Sequence, residues 1–114
     1  MNTEAFYAII GGDYKGTMSR LLTEERVLRF VRKFPQDGSY TALKEALASN
    51  AQEEAFRAAH TLKGVAQNLG FTALYEKASA VTEVLRGGSL DVAALMPGLE
   101  SIYRLTVESI SALD

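Results

Sequence analysis

Apolar residues return at helical spacing in almost every segment of this chain, and glycines and prolines cut the pattern into short lengths. Thr3 to Ile10 carries Phe6, Ile9 and Ile10 and stops at Gly11-Gly12. Asp13 or Thr17 can cap a short helix bearing Met18, Leu21 and Leu22. Thr23 reads as an N-cap, with Glu24 and Glu25 in a first turn that favours negative charge. Val27, Leu28, Phe30, Val31 and Phe34 follow, until Pro35 ends the run. There is no strand alternation, hairpin dipeptide or internal repeat, so the chain must be all-α.

The second half is punctuated in the same way. Ser39 is expected to cap a helix bearing Leu43, Ala46 and Leu47. Asn50-Ala-Gln-Glu53 has the form of a capping box and opens a helix that runs to Leu69. Gly70 suits a left-handed C-terminal cap. Thr72 starts the next helix, with Leu74, Ala78, Val81, Val84 and Leu85 on one side and Gly87-Gly88 closing it. A last helix is expected from about Ser89 to Leu113, kinked or split at Pro97-Gly98. Short connections favour antiparallel neighbours. The expected fold is an up-and-down antiparallel four-helix bundle with short N-terminal helical segments, one domain over residues 1–114.

Composition enters through what it excludes. A formal net charge of −2 without a Lys/Arg block leaves no electrostatic footprint for nucleic acid. With no cysteine and a single histidine, disulfides and thiolate metal sites are ruled out and a structural zinc is not expected. No apolar run reaches the roughly 18 residues that span a bilayer, and the N-terminus lacks a signal-peptide pattern, so a cytoplasmic location is expected. No glycine-rich nucleotide loop, Gly-Lys-Ser/Thr motif or magnesium-spaced aspartate cluster is present. The chain should neither bind ATP nor phosphorylate itself.

The single histidine, His60, lies inside the longest helical pattern. Imidazole is largely neutral, and so nucleophilic, near neutral pH. At about 100° per residue, Ala55, Ala59, Leu62, Ala66 and Leu69 cluster roughly 180–260° from His60, on the back of the helix. Glu53, Arg57, Gly64 and Gln67 fall within about 60° of it, and Lys63 lies about 60° to the other side. A surface histidine is ordinarily a solvated residue, and so is a lone lysine. Here a cation, an amide and a helix-interior glycine share its face. Such a glycine costs about 0.5–1 kcal/mol relative to alanine, and access for a partner would justify it. Phe56, about 40° from His60, belongs either to the core edge or to a docking patch. Arg57 and Lys77 are candidate rim contacts, with plain solvated surface the more ordinary reading.

His60-Thr-Leu-Lys63-Gly64-Val-Ala-Gln67-Asn-Leu-Gly70 resembles the H-x-L-K-G-x-x-x-x-x-G signature of histidine-containing phosphotransfer (HPt) domains. The likeness extends to the helix order from roughly residue 15 onward. It implies a four-helix bundle that carries phosphoryl groups between receiver-domain aspartates in bacterial multistep phosphorelays. His60 would be the phosphoacceptor, Lys63 the charge partner, Gly64 the access residue and Gln67 a phosphate-side donor. Val65 stands where many members carry a small polar residue or alanine. The implied partners are response-regulator receiver domains and an upstream hybrid histidine kinase. No cofactor is expected on this chain, because Mg2+ would come with the receiver. A monomer suffices for an exposed transfer site, and the chain would be a carrier rather than an enzyme. Two rivals remain: a helical interaction adaptor without chemistry, and the phosphoacceptor piece of a chemotaxis-type kinase.

Overall fold

Side-chain caps start the first three helices in the computed structural model, which describes residues 1–114. Asn2 accepts from the Ala5 amide at 2.8 Å to open α1 (Thr3–Ile9). Asp13 accepts from Gly16 at 3.0 Å to open α2 (Tyr14–Leu21), and Thr23 accepts from Arg26 at 3.2 Å to open α3 (Glu24–Lys33). Each cap contributes about 1 kcal/mol. A single 3-10 turn, Phe34–Gln36, carries Pro35 and ends α3 as expected. The remaining helices are α4 (Ser39–Ala48), α5 (Gln52–Leu69), α6 (Thr72–Arg86) and α7 (Met96–Ser111). The protein is all-helical, and none of its helices is long and apolar enough to cross a membrane.

Three local expectations are corrected. Ser39 is not the cap of α4 but its first residue, held by its amide and hydroxyl donating to Asp37. Asn50 does not cap α5. It sits at φ 54° behind α4, where its amide donates to Leu47 (3.2 Å) and that of Ala51 to Ala46 (2.8 Å). That is a Schellman closure, and asparagine is one of the few residues that tolerate its left-handed position. The last helix begins at Met96 rather than Ser89. Pro97 needs no amide partner in a first turn but would break an interior, so the chain before it turns instead and buries Val92.

Consecutive helices joined by short turns pack along one another, α4 on α5, α5 on α6 and α6 on α7, which makes them antiparallel neighbours. One core unites them; α1 contributes Phe6 and Tyr7 to it, its C-cap Ile10, and α3 Val27 and Val31. Aromatic rings run through one end of that core. Tyr40 stacks on Tyr103 at 4.1 Å, and the sequence of contacts continues through Phe34, Phe71 and Phe6 to Tyr7. These tyrosines, scattered in sequence, gather in space as packing.

The α1–α2 hairpin closes the C-terminal end of α5. The Tyr7 hydroxyl donates to the Leu69 carbonyl at 2.6 Å, and the Thr17 hydroxyl reaches the same oxygen at 3.2 Å. The Asp13 amide donates to Gly70 at 2.8 Å. Gly70 is left-handed at φ 73°, and a Cβ there would lie 1.9 Å from the Thr17 hydroxyl oxygen. Glycine is required twice over, by conformation and by space.

Burial holds the Tyr7 hydroxyl up at a pKa of about 12, against an ordinary 10.0. The folded state therefore keeps a proton that the unfolded chain gives up first. Stability from this group is intact below pH 10, falls as pH rises and is gone above about 12. Urea unfolding between these values should show that decline, and Tyr7→Phe should shrink it without abolishing it, because burial also raises Tyr40 and Tyr103. Leu62, fully buried in α5, gives a second check. Leu62→Ala should cost about 2–5 kcal/mol in the same assay, and a neutral result would refute the phasing of α5.

Candidate functional site

The helix that carries His60 is fixed from behind. Ala55, Ala59, Leu62 and Ala66 are fully buried and Leu69 nearly so, which is the face expected from the sequence. Three of these contacts are alanines, so α5 lies close against its neighbours and its rotation is constrained. His60 consequently points outward and is exposed. None of the larger surface clefts is lined by it.

Around His60 the expected residues share one face. Phe56, one turn earlier, is half-buried against the core and brings its ring within 5.7 Å of the imidazole at a tilt of 58°. Core edge and flank of the histidine are therefore both descriptions of Phe56. Lys63 is half-buried, its ammonium 6.0 Å from the centre of the Tyr75 ring on α6. Gly64 opens onto free space, with nothing within 4 Å of where a Cβ would be. Gln67 is exposed in the final turn. Arg57 is held by Glu53 at 3.6 Å in a solvent-exposed pair of little energetic weight. Lys77 lies apart, along Gly98 at the start of α7.

Two neighbours were not singled out from sequence. The Arg86 guanidinium lies over the Phe56 ring that flanks His60, 5.1 Å from its centre. Tyr75 seats Lys63. Both come from α6, each within two residues of mirroring its α5 partner about Gly70, so folding the hairpin there brings them into view. Cations over aromatic faces contribute about 0.5–1 kcal/mol at exposed sites, enough to restrict where the charges rest. No group of three or more histidine, cysteine, aspartate or glutamate side chains comes together as a metal site.

The arrangement presents one exposed imidazole on a rigid helix, an open notch at Gly64, and cations on its α6 side. A nucleophile so placed can be reached by a phosphoryl donor on another macromolecule, and Lys63 stands one helical turn further along α5. An all-helical bundle with such a histidine defines a class of phosphotransfer scaffold. A family model described as the Hpt domain matches residues 36–109, and the chain belongs to that family. Hpt domains serve phosphotransfer in two-component signalling, where they interact with receiver domains and kinases. No curated protein and no solved structure matches the chain. The matched span begins at residue 36, not near 15, so α1–α3 lie outside it.

Gly64→Gln tests the notch directly. The protein has room for the side chain, so thermal stability should hold or rise by about 0.5–1 kcal/mol as helix propensity improves. Association with a receiver domain, measured by titration calorimetry, should weaken strongly. Undiminished association would remove the access role from Gly64.

Proposed function

We propose that this chain is a phosphocarrier that moves phosphoryl groups between receiver-domain aspartates by way of His60. An imidazole nitrogen of His60 attacks the phosphorus of a receiver's aspartyl phosphate. A P–N bond forms as the P–O bond to the aspartate breaks, and the released carboxylate stays with the receiver. The reverse step, onto a second receiver's aspartate, restores the imidazole. The observation that carries this reading is the placement of His60: exposed, opposite the buried alanine face of α5, beside the open Gly64.

In this scheme Lys63 offsets the charge added to the imidazole and Gln67 donates its amide to the phosphoryl oxygens. Phe56 and Arg57 meet the partner. The chain itself needs no cofactor. Mg2+ and the acceptor carboxylate come with the receiver, which supplies most of the transition-state stabilisation. The chain is therefore a carrier rather than an enzyme, acting as a monomer in the cytoplasm between a hybrid histidine kinase and a response regulator.

The test uses a receiver domain labelled with radioactive acetyl phosphate in Mg2+. The wild-type chain should acquire label that is stable in alkali and lost in acid, as a phosphoimidazole is. His60→Gln should acquire none. Label on the His60→Gln chain would overturn the assignment, and a wild-type chain that binds the receiver yet never takes label would instead be an adaptor.

A further inference from the structure

We propose that Arg20, on α2 and outside the family-matched span, is a positioning residue for the phosphotransfer site that acts through Gln67. The proposal rests on the phosphocarrier reading of His60. The last carbonyls of any helix lack partners within it. At the end of α5 the Leu69 carbonyl is served by two buried hydroxyls, Tyr7 and Thr17, and that of Gly70 by the Asp13 amide. The outer ones are reached by an exposed side chain, at Gln67 beside the Gly70 amide that also donates there at 3.1 Å. The Arg20 guanidinium donates to the Asn68 carbonyl at 3.0 Å and reaches that of Gln67 at 3.4 Å.

Those two carbonyls lie at the surface, where water would satisfy them equally well. An arginine held there loses rotamer freedom and adds little to global stability. What it does add is local. A cation at a helix C-terminus opposes fraying of the last turn, and Gln67 sits in that turn. Helical side chains lean toward the N-terminus, so the Gln67 amide leans toward Gly64 and His60 as long as the turn is intact. The same cleft joins Arg20 and Gln67 to Tyr75, the ring beneath the Lys63 ammonium. One guanidinium thus steadies the turn that aims the amide and borders the ring that seats the cation.

The experiment is a double-mutant cycle on the full chain, combining Arg20→Ala and Gln67→Ala. Single-turnover transfer is followed from a receiver domain carrying radioactive aspartyl phosphate, with amide hydrogen exchange and thermal melting alongside. Arg20→Ala should slow transfer roughly three- to tenfold while leaving the melting midpoint near the wild-type value. Exchange at the Gly70 and Phe71 amides, which close the last turn, should quicken. In the Gln67→Ala background the Arg20 effect should vanish, because its route to the phosphoryl group is gone. Additive losses would overturn the proposal and make Arg20 a direct partner contact. Unchanged exchange at Gly70 and Phe71 would overturn it as well. If the wild-type chain takes no label, the carrier reading fails first, and exchange still reports whether Arg20 holds the turn.

Discussion

Everything near His60 depends on how α5 is brought to an end. At Gly70 the backbone turns left-handed, the Phe71 amide returns to Ala66, and the Thr17 hydroxyl fills the space a side chain would have taken. That closure sends α6 back along α5 in a single register. It also gives α1 and α2 a surface of carbonyls to bind. Any other residue at position 70 would meet both a conformational and a steric obstacle, and the error would propagate to both helices that frame the histidine.

The consequence is a division of labour across one helix. Its inner face is mostly alanine, which lets neighbouring backbones approach and leaves little freedom for the rod to roll. Its outer face is kept open, with a glycine where a side chain would otherwise stand. Stability and access are thus assigned to opposite sides of α5, and substitutions on the two sides act through different physics. The N-terminal helices extend this arrangement. They lie beyond the span that defines the family, yet they share its core through Phe6, Tyr7 and Val27 and bind the end of the site helix.

Much of this was legible in the sequence because helical period is a local signal. The outward placement of His60, the buried set from Ala55 to Leu69, the caps at Asp13 and Thr23 and the left-handed Gly70 all follow from spacing and residue chemistry. The misreadings arose where one residue suits two roles. Asparagine serves as an N-cap and also adopts left-handed backbone, and only the packing of α4 against α5 decides for Asn50. Proline ends one helix and begins another, and the choice at Pro97 depends on Val92 being drawn into the core. Arg86 and Tyr75 become visible once the hairpin is folded about Gly70. Arg20 does not, because its target depends on where α2 lands, and no short-range pattern encodes that.

His60 stands exposed on α5 and lines none of the larger surface clefts. A concave active site supplies its own dry environment, whereas an exposed side chain cannot. On the phosphocarrier reading, the P–N bond is bathed in bulk water whenever the carrier is free, and only the walls of a bound receiver remove that water. Dehydration, and with it the strengthening of every charge interaction at the phosphorus, is then a property of the complex alone. On that reading, the chain contributes the exposed nucleophile of an active site that is complete only while two proteins are together.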